Sequence, residues 1–340
     1  MPDVKRTGRP RAALLWAAAS FALGQLALCA LLNTSWRARD PEYGLRLRSL
    51  RARLAERAPA GPLVLFLGSS RVATGVRPAL LAANRPAAGG GPVAFNYALC
   101  NSGPIMELVC LRRLLADGVR PDCVFVEVWW SLAAPGGDSQ MARIDPGRLG
   151  RQDLRRLRTY YADPRPAHRR WADEVVPCLA HRTQLLGRVA PSWVSLDRWA
   201  VNWEGLDDWG WLRVPPYAER RRARADLVRE AYLHDAARFT PSDESRRAFA
   251  ELLGLCRREG ITAVLLAMPD AWLADYEPAA RARMDAFLND QSREHGAPLI
   301  DARGWMPRDA FADDVHLTHD GAAAFRERFG REEQPRYLAR

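Results

Sequence analysis

Residues 64–71 read Val64-Leu65-Phe66-Leu67-Gly68-Ser69-Ser70-Arg71, a short apolar run that stops at a glycine and two serines. Unalternating apolar runs of four to eight residues are the pattern of strands buried on both faces, as in parallel sheets. A glycine at the strand end permits a tight turn. A serine behind it either caps the next helix or presents its oxygen at the carboxyl edge of the sheet, where open α/β folds bind their ligands.

Similar runs recur along the chain. With the first strand at 62–67, further strands are predicted at 93–99, 123–129, 262–268 and 298–301. Helical patterns lie between and after them, at 105–117, 242–259, 279–295 and 320–329. Ser242 with Glu244 and Ser245 gives one helix start, and Gly118 and Gly260 give stops. Alternating strands and helices predict an α/β domain over 61–340, a parallel sheet with helices on both faces in three α/β/α layers. Residues 131–240 break the rhythm. They are rich in Arg, Trp and Tyr and show no strong strand pattern, so they read as a mainly helical insertion over the carboxyl edge of the sheet. Its tryptophans are either a small core or a sugar-binding groove, the core being the plainer reading. Trp203 and Trp209 are the groove candidates.

The N-terminus sets the compartment. Residues 12–32, AALLWAAASFALGQLALCALL, carry no charge. About 20 apolar helical residues span a bilayer core. Residues 1–11 form a basic tail with Lys5, Arg6, Arg9 and Arg11, which predicts a cytoplasmic N-terminus and an outward-facing domain. A cleaved signal peptide is the rival. Its apolar region is usually only about 7–15 residues and ends in a small-residue cleavage site, so an uncleaved anchor is favoured. Residues 33–60 read as a charged juxtamembrane stalk.

Composition excludes several classes. The formal net charge is +10, but Lys5 is the sole lysine and the arginines are scattered among acids. No clustered basic and aromatic platform for nucleic acid appears. The six cysteines, Cys29, Cys100, Cys110, Cys123, Cys178 and Cys256, include no Cys-x-x-Cys pair; Cys29 lies in the apolar run, and for the other five buried free thiols are the plainer reading, with one disulfide the alternative in an oxidising compartment. Gly89-Gly90-Gly91 has no phosphate-loop frame. His316 and His319 alone do not make a metal site, so no metal or cofactor is expected.

Residues 311–321 read Phe-Ala-Asp-Asp-Val-His-Leu-Thr-His-Asp-Gly. Asp313 and His316, three apart ahead of a helix, can bring carboxylate and imidazole together. A serine hydroxyl needs such a base to become a nucleophile, and the carboxylate fixes the base's tautomer. His319 competes for the base, and a capping loop is the plainer reading of the stretch taken alone.

Together the two motifs resemble the SGNH (GDSL-type) hydrolase superfamily, with Gly68-Ser69-Ser70 for the Gly-Asp-Ser turn after strand one and Asp313-Asp314-Val315-His316 for the C-terminal Asp-x-x-His. The likeness covers roughly residues 61–130 and 260–330. It is closer to membrane-anchored members acting on envelope polymers, of the alginate O-acetylation and lipoteichoic-acid D-alanylation types. It implies a flavodoxin-like sheet, Ser70 as nucleophile, His316 as base and Asp313 as its orienter. The Ser70 N–H and the Gly103 N–H would form the oxyanion hole. The family's third-block asparagine has no counterpart in Val126-Glu127-Val128-Trp129-Trp130-Ser131, and Asn101 is the stand-in. Glu127 would repel an oxyanion if it pointed inward. Arg71, Asp270 and Trp129 are the candidate substrate contacts, although a surface ion pair for Arg71 and a turn for Asp270 explain those two as well. The implied function is esterase or O-acyltransferase action on an envelope polysaccharide, with a multi-pass acyl-donating membrane protein as partner. The alternative is a non-catalytic envelope protein of the same fold that binds glycan or assists assembly.

Overall fold

The structure is a computed structural model that describes residues 9–56, 61–83, 92–134, 146–157, 160, 176–193, 205–213 and 225–337. In chain order its helices begin with α1 (Arg9–Thr34), α2 (Trp36–Arg39), α3 (Pro41–Glu56), α4 (Ser70–Gly75), α5 (Pro78–Ala83), α6 (Pro104–Ala116) and α7 (Trp130–Ala133). There follow α8 (Arg151–Leu157), α9 (Pro177–Ala180), α10 (Arg182–Val189), α11 (Ala225–Ala237), α12 (Asp243–Arg258), α13 (Pro278–His295), α14 (His319–Glu332) and α15 (Gln334–Tyr337). The strands are β1 (Leu63–Leu67), β2 (Val93–Asn96), β3 (Cys123–Glu127), β4 (Thr262–Ala267) and β5 (Leu299–Asp301).

The chain divides into two compact units, and the division falls inside α3. The first comprises residues 1–44 and 145–194. In it, α1 is long and apolar enough to cross a membrane, and its window of membrane-like composition is not buried at all. Past its end the chain is tied down by Arg39. The buried guanidinium donates to Leu32 O at 2.9 Å, Leu149 O at 3.1 Å and Gly147 O at 3.3 Å. Arg148 answers with ion pairs to Asp40 at 3.1 Å and Glu42 at 3.2 Å.

The second unit, residues 45–144 and 195–340, holds the sheet. All five strands are parallel in the order β2-β1-β3-β4-β5. The chain leaves β1 for one side and returns to β3 on the other, which opens a crevice at their carboxyl ends. Every residue of β1 and β3 is buried, so both faces are covered, as their unalternating sequences demand. On one face Phe66 and Phe125 stack at 4.7 Å and meet Phe329 of α14 edge-on at 5.7 and 5.3 Å. Cys100, Cys110, Cys123 and Cys256 are buried free thiols, as expected, whereas Cys29 and Cys178 are half-buried and also free. Burial pushes the thiols of Cys123 and Cys256 up to about 12, so neither is a ready nucleophile.

The predicted strands and helices all occur, with β2, β3 and β4 shorter at their carboxyl ends and β1 and β5 starting one residue later. The expected strand over 93–99 stops at Asn96, because beyond it the chain bends along the end of β1. Tyr97 N–H still donates to Phe66 O at 2.8 Å and Leu99 N–H to Gly68 O at 2.9 Å. Residues 131–240 do not act as one body. Residues 145–194 group with α1, and 195–240 group with the sheet. Within the latter, the 205–213 segment meets the outer edge of β2, where Asn96 N–H donates to Trp209 O at 3.0 Å.

Candidate active site

Gly68 lets the end of β1 lie against the end of β3. A Cβ placed there would sit 2.6 Å from Val72 Cγ2 and 2.8 Å from both Cβ and Oε2 of Glu127. The two serines that follow divide the work. Ser69 caps α4, its Oγ accepting the Arg71 N–H at 3.2 Å. Ser70 is the first residue of α4, so its N–H lies in the turn whose donors have no acceptor inside the helix. Its side chain points the other way, to His316.

The C-terminal loop folds back on itself. Phe311 and Leu317 form an antiparallel bridge, and Ala312 N–H donates to His316 O at 2.8 Å. Asp314 turns the corner in the left-handed region at φ 62°. Inside this turn Asp313 Oδ1 accepts the backbone N–H groups of His316 at 2.8 Å and Val315 at 3.3 Å. Nδ1 of His316 lies 2.9 Å from Oδ2 and 3.0 Å from Oδ1. Nε2 of His316 is 2.8 Å from Ser70 Oγ. Burial raises the Asp313 carboxyl, but the His316 ring and the two backbone donors outweigh it and hold the group below the usual carboxylate range. An ionised carboxylate only accepts, so Nδ1 carries the proton and Nε2 is the lone pair facing the Ser70 hydroxyl. The loop that alone would be a cap thus brings Ser70, His316 and Asp313 into one line. His319, the competing histidine, makes other contacts. It heads α14 on the surface, with Nε2 2.9 Å from Arg77 Nη1 and its ring edge-on to Trp211 at 5.8 Å.

Two further residues hold the turn that carries Ser70. Asn96 is wholly buried, and its Nδ2 donates to Val72 O and Val76 O, both at 2.8 Å, pinning α4 to β2. The signal was a lone amide ending an otherwise apolar strand. Glu127 would repel an oxyanion only if it pointed inward. Instead its Oε2 accepts the Ser69 N–H at 2.6 Å, directly behind the nucleophile. Its Oε1 lies 3.9 Å from Arg71 Nη1. Replacing Glu127 by Ala leaves a buried N–H unsatisfied and should cost about 1–3 kcal/mol of stability, read as a lower thermal midpoint, together with a loss of turnover. Glu127→Gln retains an acceptor for Ser69 and should recover most of both. Equal damage in the two variants would refute the hydrogen-bonding role.

Glu107 lies in the first turn of α6, wholly buried, and neither carboxyl oxygen has a hydrogen-bond partner among the described residues. Burial raises its carboxyl well above the ordinary value, and the negative charge of Glu127 adds to this. A raised folded-state value gives stability that is complete below the ordinary glutamate range and is lost as pH rises through the raised one. Glu107→Met removes that loss. Its thermal midpoint should therefore gain on the wild type progressively from pH 5 to pH 9, and parallel curves would refute the assignment.

The other expected site residues are placed as follows. Gly103 is buried and caps α6, and Asn101 is exposed at φ 59°. Both follow Leu99, whose bond to Gly68 sets their loop beside the Ser70 turn. Arg71 is not on the surface: it is 5% exposed, donates to Met268 O at 3.1 Å and Pro269 O at 2.5 Å, and covers the Trp129 ring at 4.6 Å. Asp270 is also buried, accepting the Tyr276 hydroxyl at 2.8 Å and the Trp272 N–H at 3.0 Å. Both carboxylate oxygens of Asp270 and the Nη2 of Arg71 thus hold protein groups, and Trp129 is the half-buried member of the three. Of the two groove tryptophans, Trp209 is half-buried with the Arg53 guanidinium 5.6 Å from its ring centre, and Trp203 lies outside the described residues. No family model matches the chain, and no curated protein matches it.

Proposed function

We propose that this protein is a membrane-anchored serine acyltransferase or esterase of the SGNH type, acting at the outer face of the membrane on an envelope polysaccharide. The observation that carries the reading is the continuous contact from Ser70 Oγ through His316 to Asp313. The strand order β2-β1-β3-β4-β5, with the serine at the β1–β3 crevice, supports the fold half of it. The apolar α1 behind a basic tail supports the anchor, and the outward orientation follows from the tail's charge.

In the first half-reaction Ser70 Oγ attacks the acyl carbonyl carbon while His316 Nε2 takes its proton. The tetrahedral oxyanion is met by the N–H groups of Ser70 and Gly103. The bond to the leaving alcohol then breaks, and His316 returns the proton to that alcohol, leaving an acyl ester on Ser70. In the second half-reaction water or a sugar hydroxyl gives its proton to His316 and attacks the ester, and Ser70 is regenerated. Asp313 stays ionised throughout and stabilises the imidazolium. A multi-pass membrane protein that delivers the acyl group is the natural partner of a transferase so placed.

The test is covalent capture. The full chain in detergent is treated with a fluorophosphonate probe and digested, and the adduct is mapped. Expected is a single adduct on Ser70 that is lost in His316→Ala. No adduct on the folded wild type, or an adduct on Ser69, would end the proposal.

A further inference from the structure

Among the described residues of the first unit, α1 is covered on one face and over its last part. Its residues 10–24 are all exposed, whereas Gln25, Leu28, Cys29, Leu32 and Asn33 are partly or fully buried. These five positions form one helical stripe. The covering element includes α9, whose Cys178 N–H donates to Gln25 Oε1 at 3.2 Å. That bond satisfies the main polar side chain inside the apolar run of α1 with a donor from the open N-terminus of a second helix, the kind of pairing a polar group needs inside a bilayer.

The level of this contact is informative. The apolar run 12–32 is about 31 Å long at 1.5 Å per residue, close to a bilayer's hydrocarbon thickness. Gln25 precedes Leu32 by seven residues, so the contact lies about 10 Å inside the end of the run. Interfacial helices bury their apolar faces to about 5–10 Å. In α9, α10 and the 3-10 turn Pro191–Trp193, four large apolar side chains are left exposed. Leu179 is 60% exposed, Val189 85% and Trp193 77%, with Leu186 also exposed. Within α10 the spacing of Leu186 and Val189 puts them on one face with Arg182, whose long side chain can carry its charge toward headgroups. Exposed apolar side chains on a segment bonded to α1 at this level would extend the lipid-facing surface of that helix.

We propose that residues 177–193 form a membrane-dipping element, seated in the leaflet at the C-terminal end of α1, with Leu179, Leu186, Val189 and Trp193 against the acyl chains. This rests on the reading of α1 as a membrane anchor. The element makes the attachment two-part, a spanning helix plus an interfacial one, and fixes the rotation of α1 about its axis.

The experiment places a benzophenone side chain singly at Leu15, Leu186, Val189 or Trp193 of the full chain. Each protein is reconstituted into phosphatidylethanolamine–phosphatidylglycerol vesicles and irradiated, and lipid adducts are counted by mass spectrometry. Expected are adducts at Leu186, Val189 and Trp193 in yields comparable to Leu15. Adducts at Leu15 alone would overturn the dipping element and leave the anchor standing. No adducts at Leu15 would overturn the anchor and the element with it. Crosslinks from Leu186 and Val189 to another polypeptide, without lipid adducts, would assign this face to a protein partner and overturn the proposal.

Discussion

Ser70→Ala is expected to lower the turnover of p-nitrophenyl acetate by at least about 10⁴-fold, the scale on which removal of a serine nucleophile falls. Ser69→Ala, one residue away, is expected to keep most of it. The difference follows from what each oxygen touches. Ser70 Oγ faces His316 Nε2 at 2.8 Å, whereas Ser69 Oγ accepts a backbone N–H at the start of α4. Losing the cap costs about 1 kcal/mol of stability, visible as a lower thermal midpoint with chemistry retained. Purified full-length variants assayed side by side separate the two outcomes. If Ser69→Ala is the inactive one, the turn after β1 has been assigned the wrong nucleophile.

The second large effect is Asp313→Asn, expected to reduce kcat roughly 10⁴-fold. The shape is retained, and Oδ1 can still accept the His316 and Val315 N–H groups. What changes is the ring. An amide NH₂ directed at Nδ1 favours the tautomer with the proton on Nε2, and the lone pair that should receive the Ser70 proton is gone. The substitution also has a stability signature. The Asp313 carboxyl sits below its ordinary range when folded, so its contribution is present above that range and is lost as pH falls through the depressed value. The thermal midpoint of Asp313→Asn should lie below the wild type at pH 7, and the gap should close in strong acid. A gap that is unchanged on acidification would mean that the carboxylate is not held by His316.

Much of the sheet was readable from residue type alone. β1 and β3 are apolar without alternation because both faces are covered, and burial on two faces leaves no polar position to disguise them. The helix starts and stops were equally local. Ser242 caps α12 through the Ser245 N–H at 3.1 Å, and Gly118 and Gly260 take φ of 80° and 70° behind their helices. Local chemistry also marked the apolar α1 and singled out Ser70, Asp313 and His316 as residues worth joining.

The joining itself was a matter of tertiary structure. Ser70 and His316 are 246 residues apart, and their contact depends on β1 lying inside the sheet and on α14 packing against it through Phe329. For Asp270 sequence left a substrate contact and a turn side by side, and for Arg71 a substrate contact and a surface ion pair; folding buries both, Asp270 against Tyr276 and Trp272 and Arg71 against the carbonyls of Met268 and Pro269. Glu127 seemed a hazard because sequence gives a residue's charge but not its direction. Folded, its Oε2 accepts the Ser69 N–H and so supports the turn after β1. The region 131–240 carries no strand period, so nothing local indicated that residues 145–194 would group with α1 while Trp209 closed the edge of β2. Sequence determined the buried strands, the caps, the apolar helix and the reactive residue types, because each depends on a residue and its near neighbours. Structure decided which polar groups face one another, because hydrogen bonds between distant segments are set by packing rather than by local pattern.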